Sequence, residues 1–483
     1  CGWMYATLAQ ASEDEAEAWA AKLRACKTSD EIRELINSHR SVFGKINYTV
    51  WSDVFICPDC TQEVVFWEAA VDKEKGIVHG EFPCPHCGAQ LSKRHMDRAW
   101  VTRYDKAIGH TVRQAKQVPV LINYSVGKRR YDKTPDAFDL GLIEKIEELD
   151  IPYWFPTDRM PEGYNTEQPK VSHGHTHVHH FYTKRNLWVL AALFANAGRK
   201  HARCIAWITS GMTRTTKMYK YMPVVRNGQL VDRRTGTVSG TLYVPSMVDE
   251  NSPFELLASK VRDFSFSMPS KDVATATNST TYVPRIENVD YIFTDPPFGG
   301  NLMYSELNFL WEAWLKIVTN NKPEAIENKA QGKGLPEYQE LMTECFKEYY
   351  RVLKPGRWMT VVFHNSRNSV WNAIQEALQT AGFVIADVRT LDKKQGSFKQ
   401  VTSSNAVKQD LVISCYKPNG GLEERFRREA GTEEGVWDFV RTHLRQLPVF
   451  VSKDGKAEVI AERQNYLLYD RMVAFHVQRG VTV

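Results

Sequence analysis

The chain of 483 residues is long enough for two or three domains, and its 43% hydrophobic and 25% charged residues are typical of a globular protein. Sixty-two basic and 57 acidic residues give a net charge of +5, which neither requires nor excludes nucleic acid as a partner. No run of 18 apolar residues occurs, which excludes a membrane-spanning helix, and the first residues do not resemble a signal peptide.

Both ends of the sequence read like the interior of a folded region, so we expect an internal fragment of a longer protein. The chain starts at Cys1 and stops at Val483 without tapering into a polar tail. Nine cysteines are present, and four of them form two C-x-x-C pairs. This usage favours metal binding in a reducing compartment over disulfide formation, and it predicts a cytoplasmic protein.

The N-terminal part begins with helix-forming residues and leads into a metal-binding pattern. Residues 12–40 carry apolar side chains at helical spacing, and residues 47–56 are rich in β-branched and aromatic types. Two C-x-x-C pairs follow, separated by 23 residues. Their four cysteines are Cys57, Cys60, Cys84 and Cys87.

These pairs present four thiolates from two tight turns, which is the ligand set of a tetrahedral zinc site. Residues 63–70 and 77–82 are predicted as the strands of a zinc ribbon that occupies about residues 50–95. Because the protein fills all four positions, the zinc would be structural and not catalytic. A redox C-x-x-C site is the weaker alternative, since the two pairs match and each has a proline after its first cysteine.

Residues 96–180 are predicted to be irregular, with scattered proline and glycine, and they end in a histidine-rich run. The run comprises His173, His175, His177, His179 and His180. It suggests a metal site, but no acidic or cysteine residue nearby keeps a metal-site spacing. We therefore favour a solvated loop beside a DNA groove.

A helix is predicted to open after Phe181, because apolar residues then repeat on one face. The residues of that face are Leu187, Leu190, Ala191 and Phe194. Residues 203–210 are predicted as a strand. Residues 211–285 are turn-rich, with two or three short strands and a Thr/Ser stretch at 274–281.

The C-terminal half alternates strands and helices. Strands are predicted at 289–294, 358–363, 383–390 and 410–416, and helices at 302–318, 336–353 and 370–381. This order implies right-handed parallel crossovers followed by an antiparallel hairpin at one edge of the sheet. Residues 421–483 read as a separate helical tail, for which packing is favoured over DNA contact.

The most informative motif follows the first of these strands and reads Asp295-Pro296-Pro297-Phe298. The strand carries the acid to the carboxyl edge of a sheet, where open α/β folds bind their ligands. The prolines stiffen the backbone and remove two amide donors, which leaves carbonyls free to accept hydrogen bonds. Asp295 and the carbonyl of Pro296 could then accept both N–H groups of an exocyclic amine, while Phe298 stacks on the planar base.

This Asp-Pro-Pro-Phe resembles the catalytic motif of the amino-group DNA methyltransferases, which methylate N6 of adenine or N4 of cytosine. Residues 301–316 are similar to the segment after the motif in large bacterial site-specific enzymes that carry a zinc ribbon. The resemblance implies an α/β fold: a partial Rossmann-like methyltransferase sheet with an inserted zinc ribbon and a helical C-terminal tail. The implied divisions are a helical N-terminal segment (1–49), the zinc ribbon (50–95), an irregular α+β insertion and candidate target-recognition region (96–285), the catalytic half of the methyltransferase domain (286–418) and a helical C-terminal module (419–483).

The resemblance implies S-adenosylmethionine as the methyl donor, alongside the structural zinc. Asp295 and Thr183 are the implied contacts to the donor, because Thr183 would cap a helix that lines the cofactor pocket in related enzymes. A simple capped helix start is the alternative for Thr183. The family's glycine-rich turn, aromatic-x-Gly-x-Gly after a first strand, is not visible in the sequence. We expect that turn upstream of Cys1, the alternative being a degenerate and inactive fold; without it, the chain would bind the donor weakly.

The implied substrate is double-stranded DNA with its target base flipped out, with adenine favoured over cytosine, and restriction or phage-defence proteins are the implied partners. Asn301, Tyr304 and Ser305 are candidate contacts to the flipped base. Residues 364–366 end the next strand at the same edge of the sheet. The basic loop 393–400 would contact phosphates or insert into the duplex.

Two other functions stay open on the sequence alone. RNA and protein-amide methyltransferases use related motifs, but their first residue is usually Asn, so Asp295 with Phe298 favours DNA. A zinc-ribbon DNA-binding protein with a vestigial methyltransferase fold is the non-enzymatic alternative. Donor binding distinguishes this alternative from the two enzymes, and substrate competition distinguishes the enzymes from each other.

Overall fold

The computed structural model describes residues 1–197, 202–226, 229–264, 287–300, 302–365, 367–392, 409–429, 431–447, 450–453, 456–459 and 463–477. The chain divides into two compact units. The first unit comprises Cys1–Pro269 with Glu306–Val318, and the second comprises Ser270–Ser305 with Thr319–Val483. No helix among the described residues has the length and apolar character that a bilayer crossing requires.

The first unit combines strands and helices throughout. Its strands are β1 (Ala6–Leu8), β2 (Phe43–Ile56), β3 (Glu63–Val65), β4 (Val71–Asp72), β5 (Ile77–Val78), β6 (Glu81–Pro83), β7 (Gln90–Ser92), β8 (Asp97–Arg98), β9 (Trp100–Asp105), β10 (His110–Ala115), β11 (Gln117–Val126), β12 (Arg129–Lys133), β13 (Lys220–Arg226), β14 (Gln229–Gly236) and β15 (Met247–Asn251). Its helices are α1 (Glu13–Ala25), α2 (Ser29–Ser38), α3 (Phe66–Ala70), α4 (Ala137–Glu148), α5 (Tyr164–His173), α6 (Lys184–Ala197), α7 (Ala202–Gly211), α8 (Pro253–Lys260), α9 (Tyr304–Leu307), which straddles the division, and α10 (Phe309–Leu315).

The 14-residue strand β2 organises the first unit. It lies in the middle of an antiparallel sheet with the order β12-β11-β2-β15-β13-β14. Its first residues also pair with β1, and its last residues pair with β3 and β8. Because β2 belongs to both pairing zones, it connects the main sheet to the cysteine-rich segment that begins at Cys57.

Helices α1 and α2 confirm the prediction for residues 12–40, and each begins at a side-chain cap. Ser12 and Glu15 form a capping box at the start of α1, and the hydroxyl of Thr28 accepts from the backbone N–H of Glu31. The predicted helix after Phe181 is also confirmed, as α6.

Three stretches of the first unit differ from the sequence prediction. Residues 96–180 were expected to be irregular but contain β8 to β12, α4 and α5. Residues 203–210 form helix α7 and not a strand, because Ile208 and Met212 are buried four residues apart, the spacing of a helix face. Residues 63–70 start as β3 but turn helical at α3, where Phe66 and Ala70 are buried.

The second unit contains a sheet, the helices packed on it and a C-terminal helical group. Its strands are β16 (Val289–Thr294), β17 (Leu353–Phe363), β18 (Val384–Asp392), β19 (Gln409–Tyr416), β20 (Phe450–Lys453) and β21 (Lys456–Val459). Its helices are α11 (Leu335–Val352), α12 (Asn368–Thr380), α13 (Gly420–Glu429), α14 (Glu433–Gln446) and α15 (Asn465–Val477).

The four-stranded sheet of this unit has the order β16-β17-β19-β18. β16 and β17 are parallel, while β19 is antiparallel to both of its neighbours. The predicted antiparallel hairpin at the sheet edge is therefore confirmed, with β19 placed between β17 and β18. Apolar side chains of α11, α12 and the strands form one core, in which Tyr338, Phe346, Phe363 and Ile374 are fully buried.

The predicted helix over 302–318 is broken, because α9 ends at Leu307 and α10 begins at Phe309. The C-terminal tail is helical as expected, with three helices among its described residues, but it also contains the hairpin of β20 and β21. Packing is confirmed as a role of this tail, since Phe439, Met472 and Phe475 share a buried cluster with side chains of β18 and β19.

We expect a buried histidine of this tail to make the second unit sensitive to acid. Nδ1 of His443 lies 2.8 Å from the Tyr416 hydroxyl, and its ring stacks on Phe439. Burial and, to a smaller extent, the charges of Arg471 and Arg463 lower the pKa of His443 to about 4. The unfolded chain therefore binds this proton first, so stability is present above about pH 6.5 and is lost as pH falls towards about 4.

The expected loss is about 2 kcal/mol of unfolding free energy between pH 7 and pH 5, measured by urea denaturation. His443→Gln should remove most of this loss, while substitution of the exposed His110 in the first unit should leave it unchanged. An unaltered acid response in His443→Gln would contradict the assignment.

Candidate active site and metal centre

The Asp-Pro-Pro-Phe turn begins where β16 ends. Asp295 is exposed, and Pro296 directly after it is buried. The carbonyl of Pro297 accepts a hydrogen bond from the Tyr338 hydroxyl at 2.5 Å, and the carbonyl of Phe298 accepts one from Asn365 Nδ2 at 2.9 Å. The turn is therefore held from α11 on one side and from the segment after β17 on the other.

The turn closes at Gly299, which has a φ of 71°. A side chain is disfavoured in this left-handed region, and a Cβ here would lie 2.7 Å from Glu327 Oε1 and 3.4 Å from Asn365 Nδ2. Glu327 in turn pairs with the guanidinium of Arg367. Glycine thus allows the backbone to approach this polar group closely.

The ring of Phe298 is half-buried at the sheet edge. It packs edge-to-face on Phe363, with 5.3 Å between ring centroids, and lies 6.1 Å from the ring of His364. Nδ1 of His364 lies 3.0 Å from Oδ1 of the buried Asp410. These contacts fix the orientation of Phe298 while leaving part of its surface accessible.

The structure separates the polar residues that were predicted to contact a base. Tyr304 is close to Asp295: burial raises the pKa of Tyr304, and the Asp295 carboxylate raises it further. Ser305 instead belongs to an internal network, since its hydroxyl donates to Glu324 Oε2 at 2.6 Å and Gln331 contacts both residues. The predicted contacts Asn301, Ser366 and the loop 393–400 lie outside the described residues.

The predicted edge of the sheet is thus partly assembled, with Asp295 and Phe298 after the end of β16 and His364 and Asn365 after the end of the neighbouring parallel strand β17. Asn365 was predicted only as part of residues 364–366 at the end of the next strand, and Tyr338 was not predicted as a site residue. The signal for Tyr338 was its hydroxyl, because a buried tyrosine usually finds a hydrogen-bond partner.

Residues 289–451 match the model of a protein family described as DNA methylase, of the N6/N4 type. The predicted resemblance to the amino-group DNA methyltransferases is confirmed over these residues. No curated protein matches the chain. The methylase match covers the Asp-Pro-Pro-Phe turn, the four-stranded sheet and much of the C-terminal helical group, and it assigns DNA methyltransferase chemistry to this part of the chain.

The four cysteines predicted as zinc ligands come together in the first unit. Their Sγ atoms all lie within 4.8 Å of one another, and the Cys57–Cys87 and Cys60–Cys84 pairs are 3.8 Å apart. A tetrahedral zinc with Zn–S bonds of about 2.3 Å places its sulfurs about 3.8 Å apart. The cluster therefore has the dimensions of a four-thiolate zinc site.

The two cysteine turns have matching backbone geometry. The N–H of Thr61 donates to the carbonyl of Cys57 at 2.9 Å, and the N–H of Gly88 donates to that of Cys84 at 3.0 Å. Both residues have a positive φ, 59° for Thr61 and 75° for Gly88. Two equivalent turns that face each other are the arrangement that closes a ribbon-type site.

The histidine run is buried, so the predicted solvated loop is wrong. His173, His175, His179 and His180 are each at least nine-tenths buried. The acidic partner that the sequence analysis did not find is Asp105 at the end of β9, whose Oδ2 accepts from His179 Nε2 at 2.7 Å and from His180 Nε2 at 3.0 Å. Local spacing could not reveal Asp105, because it lies 74 residues before His179 in the sequence.

Asp105, His179 and His180 lie close enough together to hold a metal ion. Their hydrogen bonds, however, are those of two histidine rings that donate to one carboxylate. The backbone N–H of Thr176 donates to His180 Nδ1 at 3.2 Å, so the proton of a neutral His180 ring is on Nε2 and points to Asp105. Burial alone would raise the pKa of Asp105, but the two histidine hydrogen bonds outweigh it and hold that pKa below its usual range. A His–Asp–His hydrogen-bonded unit accounts for this geometry.

Thr183 lies at the start of α6, as predicted, and its hydroxyl accepts from the N–H of Asn186 at 3.4 Å. The same hydroxyl donates to Glu250, which also pairs with Arg185. Arg185 and Glu250 are buried, and Arg185 further donates to Thr49 at 2.6 Å. The hydroxyl of Thr183 is therefore engaged in a structural network of the first unit.

Two features were expected around the methyl donor, a glycine-rich turn and a contact from Thr183. β16 and β17 are the parallel pair among the described strands, and neither is followed by an aromatic-x-Gly-x-Gly turn. Thr183 has its hydroxyl proton committed to a carboxylate. Among the described residues, the expected glycine-rich turn is thus absent and the Thr183 hydroxyl is engaged elsewhere.

We expect about one zinc ion per chain, measured by atomic emission on the purified protein, because the sulfur spacing fits zinc. Cys60→Ser should lose this zinc and lower the thermal stability of the first unit. Cys204→Ser, at an exposed cysteine outside the cluster, should retain the metal. Zinc in the Cys60→Ser protein at the wild-type level would exclude the cluster as the site.

We expect Gly299→Ala to destabilise the second unit more than Gly332→Ala does. Both glycines have a similar positive φ, 71° and 67°, but a Cβ at Gly332 would meet nothing within 4 Å. The backbone term of about 1 kcal/mol is common to both, and the clash with Glu327 adds about 1 kcal/mol or more at Gly299. Urea denaturation measures the difference, and equal losses would show that Glu327 yields without cost.

Proposed function

We propose that the protein is an S-adenosylmethionine-dependent DNA methyltransferase that modifies an exocyclic amino group, N6 of adenine in preference to N4 of cytosine. The observation that carries this proposal is the geometry of the Asp-Pro-Pro-Phe turn within the DNA methylase match. Asp295 is exposed at the end of a parallel strand, and the turn behind it is anchored by Tyr338 and Asn365.

The hydrogen bonds of the turn identify which oxygens remain for a substrate. Tyr338 and Asn365 occupy the carbonyls of Pro297 and Phe298. Among the described residues, no hydrogen bond reaches the carbonyl of Pro296. The Pro296 carbonyl is therefore proposed as one acceptor for the N–H groups of the amine, and the exposed Asp295 carboxylate at the start of the turn is proposed as the other.

Two such acceptors address the main difficulty of this chemistry, which is that the lone pair of the amine is delocalised into the base. Acceptors outside the ring plane favour a pyramidal nitrogen, whose lone pair is directed at the methyl group. S-Adenosylmethionine supplies that electrophilic methyl group when bound. The residues of this chain hold and orient the acceptor nitrogen.

Phe298 provides the proposed stacking surface for the base. Its ring is fixed by the edge-to-face contact with Phe363, and part of it is accessible at the edge of the sheet. The Asp295 carboxylate contributes to the raised pKa of Tyr304, so the two side chains lie near each other, and we assign Tyr304 to the wall of the same pocket. A base in a duplex cannot reach this site, so the target must be flipped out.

The wider architecture of the proposal concerns the sheet and the first unit. The parallel β16 and β17, followed by an antiparallel strand inserted before the edge strand, support assignment to one half of a Rossmann-like methyltransferase sheet. The cysteine cluster supports a structural zinc. We assign target recognition to residues 96–285, and restriction or phage-defence proteins are the proposed partners.

We expect tritiated methyl transfer from S-adenosylmethionine to unmethylated genomic DNA, with N6-methyladenine as the labelled product after nucleoside digestion. Asp295→Ala should reduce the rate by about 100-fold or more, because it removes an acceptor at the reacting amine. Asp295→Asn keeps an acceptor oxygen and should retain more activity. Asp290→Ala is the matched control: it removes an exposed acid of the same strand that pairs with Lys354, and should have little effect.

Each outcome of this experiment leads to a different assignment. Label in the RNA or protein fraction would replace DNA as the substrate, and N4-methylcytosine would correct the target base. If the protein binds the labelled donor in equilibrium dialysis but transfers nothing, the methyltransferase proposal fails. Absence of both binding and transfer would favour a DNA-binding protein with a vestigial methyltransferase fold.

A further inference from the structure

A cavity of about 770 Å³ lies within the first unit, lined by residues of that unit. Its wall comes from β2, β9, β10, α4, α6 and β15 and from the segment around Lys217. Its volume is in the range of small-molecule sites in proteins. The polar groups of its wall indicate which ligand chemistry it would recognise.

Four of the five lysine and arginine side chains on this wall have a hydrogen-bond or ion-pair partner. Lys106 lies 3.1 Å from Asp150, Arg103 lies 3.3 Å from Glu147, and Arg185 pairs with Glu250. Lys184 donates to the backbone carbonyl of Glu147 at 2.6 Å. Asp105, on the same wall, is already satisfied by two histidine N–H groups.

The exception is Lys217, whose ammonium has no hydrogen bond or ion pair with any described residue. Its backbone is held, since its N–H donates to the carbonyl of Phe181 at 2.7 Å. Burial and, to a smaller extent, the charge of Arg103 lower the pKa of Lys217 to about 8, against the opposing effect of Glu147, Glu250 and Asp53. At neutral pH the ammonium is thus still mostly charged, and no carboxylate among the described residues lies within ion-pair distance of it on the cavity wall.

Gln114 on the same wall supplies a second, independent observation. Its side chain is 4% exposed, and its Oε1 accepts from the Arg103 guanidinium at 2.7 Å. Its amide Nε2 is buried and has no hydrogen-bond partner. A buried N–H donor left without an acceptor costs free energy, so Gln114 also calls for an acceptor from outside the protein.

We propose that Lys217 and Gln114, with Arg103 behind Gln114, form a binding site for an oxyanion, a carboxylate or phosphate group carried by a small organic ligand. An oxyanion accepts from both unsatisfied donors and neutralises the ammonium. The remaining cavity, with Trp51, Tyr104 and Phe155 on its wall, has room for an aromatic group. The site stands on the first unit alone and does not depend on the proposed methyltransferase activity.

Isothermal titration calorimetry on the whole chain tests this with three probes that share one nucleoside. Adenosine 5′-monophosphate carries a phosphate, S-adenosylhomocysteine carries a carboxylate, and adenosine has no anionic group. We expect one of the charged probes to bind at least about 10-fold more tightly than adenosine. The probe that binds distinguishes a nucleotide from an amino-acid-bearing nucleoside as the source of the oxyanion.

Lys217→Met should weaken that binding by about 10- to 100-fold, and Lys217→Arg should retain most of it. Lys106→Met is the matched control, because Lys106 lines the same cavity but is already paired with Asp150, and should bind normally. If Lys217→Met does not fold, Gln114→Glu serves instead, since it replaces the amide donor with a carboxylate that repels an oxyanion, and it should abolish binding.

The proposal is overturned if neither charged probe binds, if adenosine binds equally well, or if Lys217→Met and Gln114→Glu bind as the wild type does. S-Adenosylhomocysteine binding supports this site only where Lys217→Met weakens it, because the proposed methyltransferase would bind that probe at its own donor site. Failure of the oxyanion site and failure of the methyltransferase proposal are therefore distinguishable.

Discussion

The Asp-Pro-Pro-Phe turn depends on two carbonyl groups that side chains, and not backbone amides, satisfy. A turn with two consecutive prolines has too few N–H groups to stabilise itself. Tyr338, fully buried in the core of the second unit, reaches one carbonyl, and Asn365 reaches the next. The position of Asp295 is therefore set by the packing of α11 against the sheet, which links the core of this unit directly to its chemistry.

In the first unit, a buried ion pair fixes the start of α6, as Tyr338 and Asn365 fix the turn in the second unit. Arg185 at the start of α6 is fixed by Glu250 of β15 and Thr49 of β2, so one guanidinium joins a helix to two adjacent strands. Such a pair contributes little net stability over an apolar replacement, but removing one partner leaves an uncompensated buried charge. The segment that resembles a cofactor-lining helix start is thereby held rigidly in place, with Thr183 as one of its members.

The sequence predicted those features that depend on local pattern. The spacing of the four cysteines predicts the metal site, apolar periodicity predicts α1 and α11, and an apolar run that ends at Asp295 predicts β16. Contacts between residues that are distant in the sequence could not be predicted from local pattern. Asp105 at the end of β9 contacts His179, and Tyr338 contacts Pro297, only through tertiary packing. The strand predicted at 203–210 failed because β-branched residues there occupy a helix face.

The placement of β19 between β17 and β18 has a consequence for how the second unit is made. β18 leaves the ribosome before β19, yet within the described sheet it pairs with β19 alone. Until Gln409–Tyr416 has been synthesised, β18 has no neighbour to join, and the gap beside β17 must stay open. Closure of this sheet thus requires contacts distant in sequence, which form slowly, so the support beneath Phe298 is completed late in synthesis.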